Sequence, residues 1–241
     1  MCTVSFIARR RGYLLAMNRD ENLTREKGLP PKMMLRDVRK IIFPTEPGGG
    51  TWIALNDGGV TFALINWYSI SARVKVNAVS RGVVVNSVSA QVSPLVAAEI
   101  LTALPLLRMN PFRLIGVFPA TQEIFEWRWD LKKLACKKYS RHSQQWISSG
   151  FDEPTAQRVR SATFRRALQQ KSVGTVDWLR RLHRSHPPAC GPFSTCMHRA
   201  DAATVSCTEV AVSSRAVRMS HHATAPCKQS SRFIKAFALA S

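Results

Sequence analysis

A chain of 241 residues, 45% hydrophobic and 21% charged, can close one ample core and has the composition of a globular protein. No apolar run approaches the roughly 20 residues that a membrane-crossing helix needs, so no membrane span is expected. The net charge of +20 invites a nucleic-acid reading. Its arginines and lysines, however, are scattered over 9–11, 132–141, 158–166 and 180–184, without zinc-finger spacing or an RNA-binding aromatic signature. A solvated basic surface that helps capture anionic substrates is favoured over a nucleic-acid site. The six cysteines (Cys2, Cys136, Cys190, Cys196, Cys207, Cys227) are too sparse for a disulfide framework and read as reduced thiols in a cytoplasm. The N-terminus lacks a secretory pattern, because its apolar stretch is short and Arg9, Arg10 and Arg11 follow it.

Residues 3–8 read as a strand, 9–12 as a turn and 13–17 as a returning strand. The tight hairpin brings Asn18, Arg19, Asp20 and Glu21 back beside Cys2. A small side chain at position two permits removal of Met1, and Cys2 would then carry both a thiol and a free α-amine. Their ordinary pKa values are about 8.5 and roughly 7.7–8.0, so near neutrality the amine can take the thiol's proton. Arg19 would favour the thiolate, and Asp20 would orient the amine or the thiol. A polar turn capping a hairpin is the plainer alternative for the same cluster.

Further along, 22–34 is polar, is interrupted by Pro30 and Pro31, and predicts a loop near the site. Residues 38–43 predict a short strand and 44–50 a glycine-rich turn. Residues 51–55 and 60–65 predict a hairpin ending at Asn66. Residues 83–88 fit helix or strand, and 94–107 predicts a helix. Three consecutive antiparallel strands are expected at 112–118, 123–129 and 134–139, and another at 145–149. Residues 154–185 predict two helices. Val159, Ala162, Phe164 and Leu168 line the first, and its arginines Arg158, Arg160, Arg165 and Arg166 form a solvated face from which one could reach the site. His183, His186, Cys190, Cys196 and His198 have the softness of metal ligands. They show neither Cys-x-x-Cys nor His-x-x-x-His spacing, so no metal or other cofactor is expected, and 185–196 is read as a loop over the site. Residues 202–212 and 217–221 predict a closing hairpin, with Cys227 and the basic tail 228–235 peripheral. No repeat or linker divides 1–241, which reads as a single domain.

Met-Cys-Thr, the run Met17-Asn-Arg-Asp-Glu21 and Gly49-Gly-Thr-Trp-Ile-Ala-Leu-Asn56 resemble the NRDE family, the transport-and-Golgi-organisation type of protein. Gly191-Pro-Phe-Ser-Thr-Cys-Met-His-Arg199 and the following Asp201 to Ser206 resemble its bacterial members. That family is similar in turn to cysteine-type N-terminal-nucleophile hydrolases such as bile-salt hydrolase and penicillin acylases. The resemblance implies an α+β fold, a four-layer αββα sandwich of two antiparallel sheets between helices, with amide or acyl chemistry at Cys2. It also implies Asn66 as the oxyanion donor, an amide worth about 3–4 kcal/mol to an acyl-transfer transition state; a strand-end cap is the other reading. A second polar site residue expected after the 145–149 strand is replaced here by Ser148-Ser149-Gly150.

The sequence therefore predicts a hydrolase or acyltransferase acting on a small amide or acyl substrate through a Cys2 thioester. Cys2, Arg19, Asp20 and Asn66 are the catalytic candidates; Asn18, Glu21, Gly50 and Trp52 are the substrate-contacting ones. Gly50 either lets substrate approach the backbone or makes a turn. The alternatives are a non-enzymatic small-ligand binding or trafficking protein on the same scaffold, and a basic nucleic-acid binder.

Overall fold

Strands β1 (Cys2–Ala8) and β2 (Tyr13–Asn22) form the hairpin that the apolar alternation predicts. Gly12 turns it at φ 93°, where a Cβ would lie 2.0 Å from the Val212 carbonyl oxygen, so only glycine fits. The computed structural model describes residues 2–228 and 231–240. The remaining strands are β3 (Leu29–Arg36), β4 (Arg39–Thr45), β5 (Ile53–Asn56), β6 (Thr61–Asn66), β7 (Phe112–Phe118), β8 (Glu123–Trp129), β9 (Leu134–Tyr139), β10 (Gln144–Ser148), β11 (Ala202–Val212), β12 (Ala216–His222) and β13 (Arg232–Ala238). Four α-helices accompany them among the described residues: α1 (Gly82–Val88), α2 (Pro94–Thr102), α3 (Glu153–Ala167) and α4 (Val176–Arg184).

The strands make two antiparallel sheets, one ordered β10-β1-β2-β11-β12-β13 and the other running β3 to β9 in sequence. Period-two alternation sends Val4, Phe6, Leu15 and Met17 of the first sheet against Ile53, Leu55, Ala63 and Ile115 of the second. Each such side chain contributes about 1.5–3 kcal/mol when fully buried. The opposite face of the second sheet packs Phe62, Phe112, Leu114 and Trp127 against Val84, Val85, Val88 and Leu101 of α1 and α2. The opposite face of the first packs Ile7, Leu14 and Ala16 against Phe164 of α3 and Trp178, Leu179 and Leu182 of α4. Side-chain caps fix where three helices begin: Ser93 accepts from the Val96 N–H, Asp152 from Thr155 and Thr175 from Trp178.

Several expectations need correction. Residues 29–34, the later part of the 22–34 stretch read as loop, belong to the edge strand β3. Pro30 and Pro31 are tolerated there because an edge strand can lack donors, and the register shifts between Leu29 and Lys32. The helix expected over 94–107 stops at Thr102, ahead of Pro105, which stands before a 3-10 turn at Leu106–Arg108. The ambiguous 83–88 stretch is helical. The buried stripe of α3 is Ala156, Arg160, Phe164 and Ala167; Ala162 is exposed, and Arg160 is fully buried instead of lying on a solvated face. The tail adds β13 to the first sheet. No helix among the described residues is long and apolar enough to cross a membrane.

Candidate active site

Cys2 starts β1 between two neighbours, Arg19 on β2 and Ser148 at the end of β10. Its backbone N–H donates to the Ser148 hydroxyl at 3.1 Å. The thiol belongs to the face of the first sheet that meets the second, and Cys2 lines a cavity of about 260 Å³ there. Arg19, Asp20, Glu21, Trp52 and Asn66 line the same cavity, as do Arg25, Glu46 and Arg81. The fold thus gathers six of the eight sequence-predicted residues around one space.

Arg19 is nearly buried and its charge is shared. Its Nη2 donates to Glu46 at 2.7 Å and to Glu21 at 3.2 Å, and its guanidinium lies 4.6 Å over the Trp52 ring. Arg25 bonds the same two carboxylates at 2.9 Å each, so two cations and two anions close a ring at the cavity mouth. Burial pushes Cys2 up, and Asp20 and Glu21 push the same way; the amino-terminal charge and Arg19 pull down and are outweighed. Arg19 acts in the expected direction, toward the thiolate, and burial outweighs it.

Asp20 is fully buried and tightly held. Its carboxylate accepts from Thr204 at 2.6 Å and from Arg160 at 3.1 Å. Arg160 also donates to the Thr3 hydroxyl and the Pro192 carbonyl. Sequence reasoning left open which α3 arginine reached the site; spacing of four from Ala156 and from Phe164, both on the buried stripe, was the signal. Arg81, at the start of α1, carried no comparable signal. Burial pushes its pKa down, and Cys2 and Tyr68 are among the groups whose influence reaches it.

Asn66 ends β6 at the cavity and its amide donates to the Tyr68 hydroxyl at 2.8 Å. Two candidates lie elsewhere. Asn18 points to the opposite face, where its amide donates to the carbonyls of His183 and Thr195, 2.9 Å each, and its oxygen meets His183 Nδ1 at 3.0 Å. Gly50 packs against Gly82: a Cβ on Gly82 would lie 2.7 Å from the Gly50 Cα. It lets the 46–50 turn approach α1 closely, and it is not among the residues that line the cavity. The 185–196 loop likewise packs behind the first sheet against Asn18 and Arg160, and contributes nothing to the cavity lining.

A larger cavity, about 600 Å³, lies between α4 and the β11–β12 side of the first sheet. Its thiol, Cys207, is pushed well up by burial, and its Arg180 is bound by Glu209 at 2.9 Å. The smaller cavity, which holds Cys2 at the start of β1 together with Arg19 and Asn66, is the candidate site.

The family described as Transport and Golgi organisation 2 matches residues 1–149. No curated protein sequence matches the chain significantly. Among solved structures, a variant of conjugated bile acid hydrolase from Clostridium perfringens is similar at a TM-score of 0.55 and 10% identity, covering 99% of this chain and 97% of its own. A mutant of the same hydrolase gives 0.54 at 9%, with 98% and 96% covered. Penicillin V acylase from Agrobacterium tumefaciens gives 0.51 at 9%, with 91% and 82% covered. At these identities the likeness is one of fold.

Proposed function

The chain belongs to the Transport and Golgi organisation 2 family, and from that membership and the cavity around Cys2 we propose an N-terminal-cysteine amidohydrolase or acyltransferase acting on a small, non-peptide amide. The scaffold is read as one domain of four layers, with the helices outside the two sheets, in a reducing cytoplasmic setting. The observation that carries the reading is the placement of Cys2: its nitrogen is bonded to Ser148 and its residue lines a cavity with Arg19, Arg81 and Asn66.

Removal of Met1 turns the Cys2 nitrogen into a free α-amine beside the Ser148 hydroxyl. The amine takes the thiol proton as sulfur attacks the substrate carbonyl carbon. A sulfur–carbon bond forms, and negative charge collects on the former carbonyl oxygen, where the Asn66 amide donates. The carbon–nitrogen bond then breaks and the α-ammonium returns the proton to the departing nitrogen. Water or another acceptor cleaves the resulting thioester. Asp20, anchored by Arg160 and Thr204, holds the amine end of this arrangement, and the Arg19 ring of charges with Trp52 shapes the entrance.

A second reading, non-enzymatic small-ligand binding, draws on the raised Cys2 thiol in a chain that keeps Met1. Intact mass with N-terminal peptide mapping, before and after iodoacetamide, separates the two. A chain beginning at Cys2 that labels there far faster than at the other five cysteines supports the enzyme. So does an acyl adduct that disappears in Cys2→Ala. A chain that keeps Met1 with an inert Cys2 favours the binding protein.

A further inference from the structure

Near Thr204, which bonds Asp20, four soft side chains converge. His186, Cys196, His198 and Cys227 each offer one ligand atom, and these atoms all lie within 4.8 Å of one another. His198 Nε2 is the hub: it lies 3.2 Å from His186 Nε2, 3.6 Å from Cys196 Sγ and 3.5 Å from Cys227 Sγ. One imidazole nitrogen directs a single hydrogen or a single lone pair. It cannot satisfy three polar neighbours by hydrogen bonding, whereas a shared cation satisfies them all.

The three distances to His198 agree with that explanation. Tetrahedral zinc, with bonds of about 2.0–2.1 Å to nitrogen and 2.3 Å to sulfur, sets its ligands about 3.3 Å apart for a nitrogen pair and about 3.6 Å for sulfur with nitrogen. We propose that His186, Cys196, His198 and Cys227 form a structural zinc site. Two thiolates and two neutral imidazoles cancel the charge of a divalent cation, and mixed sulfur and nitrogen donors in this number are the set zinc favours. All four positions come from protein side chains, which makes the site structural in type and leaves none for a substrate.

The backbone is already folded to present these ligands. The Cys196 N–H donates to the Ser185 carbonyl, placing His186 beside Cys196, and the His198 N–H donates to the Gly191 carbonyl. Ser194 donates its hydroxyl hydrogen to the Cys196 carbonyl at 2.6 Å. Cys227 arrives on the segment after β12. The zinc would therefore pin three segments together: the loop leaving α4, the approach to β11, and the connection from β12. The Met197 N–H between two ligands donates to Thr204 Oγ1, and Thr204 donates to Asp20. The metal would thus brace the carboxylate of the candidate active site without touching it.

The proposal corrects the sequence-based argument against a metal. Of the five residues weighed there, His183 is bonded to Asn18 and Ser5 and Cys190 is exposed. The fourth ligand, Cys227, stood outside the motif at a distance that no local spacing rule reaches.

The test is metal analysis of the full chain purified without added metal, followed by exchange with cobalt(II). About one zinc per chain, and intense tetrahedral cobalt bands with sulfur-to-cobalt charge transfer, are expected. Cys227→Ser should lose bound zinc and weaken the charge transfer, while Cys190→Ser should change neither. If Cys227→Ser is insoluble, zinc released from the parent by a mercurial, with Cys196 and Cys227 protected from alkylation until release, reads the same contact. A metal-free chain that takes up no cobalt, or one carrying a Cys196–Cys227 disulfide by peptide mass, overturns the proposal.

Discussion

The Asp20 carboxylate and the Arg160 guanidinium meet at 3.1 Å with neither side chain exposed, one from β2 and the other from α3. Burying two charges is costly, and such a pair often does no better than a well-packed apolar pair. Breaking one is different. Arg160→Met takes the Arg160 guanidinium away from the buried Asp20 carboxylate and removes bonds to Thr3 and Pro192. A loss of about 3–5 kcal/mol is expected in urea unfolding. Asp20→Asn combined with Arg160→Met should recover part of it, since both members of the buried pair are then neutral. A parent-like midpoint for Arg160→Met would show that the pair carries no such weight.

The amide of Asn66 and the hydroxyl of Tyr68 separate chemistry from support. If Asn66 stabilises the oxyanion, Asn66→Leu should lower acylation of Cys2 by about a hundredfold to a thousandfold. Tyr68→Phe removes only an acceptor from that amide and should cost about tenfold or less, the worth of one hydrogen bond. Acylation rates followed by intact mass decide it. Equal losses in the two variants would mean that Asn66 acts by holding the β6 end in place.

Gly82 and Gly50 set how closely α1 approaches the 46–50 turn. In general Ala is favoured over Gly in a helix by about 1 kcal/mol. Here the added Cβ of Gly82→Ala would stand 2.7 Å from the Gly50 Cα and 3.1 Å from the Thr51 nitrogen, all backbone atoms that cannot rotate away. Overpacking of this kind costs typically 1–3 kcal/mol, so net destabilisation is expected, together with displacement of Arg81 from the cavity wall. A Gly82→Ala variant with a higher melting temperature would contradict this.

Much of this was legible because the sheet signals are local. The alternation in 3–8 and 13–17 marked the hairpin, and the hairpin alone placed Arg19 opposite Cys2. The three strands at 112–118, 123–129 and 134–139 match residue for residue. What failed to show needed long-range information. Asn18 and Arg19 are adjacent in sequence, yet a strand sends them to opposite faces, so only the cavity tells which of them meets a ligand. Arg160 reads as surface by composition and is buried because Asp20 waits across the sheet. Pro30 and Pro31 look like a loop until β3 is seen to be an edge strand. Cys227 joins His198 across 29 residues of sequence.

The buried histidines set an acid limit on stability. His183 is neutral in the folded chain: its Nδ1–H donates to Asn18 Oδ1, whose amide nitrogen is already committed to two carbonyls, so Nε2 accepts from Ser5. Burial lowers its pKa from 6.5 to about 4, with Glu209 opposing and Arg160 adding to the shift. His221, bonded to Thr208, is lowered to about 4 chiefly by burial as well. A depressed folded pKa means that the unfolded chain binds protons first as pH falls. The stabilisation is complete above pH 6.5 and is lost progressively toward pH 4, about 3 kcal/mol for each ring at 1.36 kcal/mol per unit. Urea midpoints should therefore already fall between pH 6.5 and about 5, above the range in which the carboxylates titrate. His183→Gln should flatten that fall by up to about 1.4 kcal/mol per pH unit, one proton's worth. A parent curve that is flat over the interval would show that neither ring is held neutral by the fold.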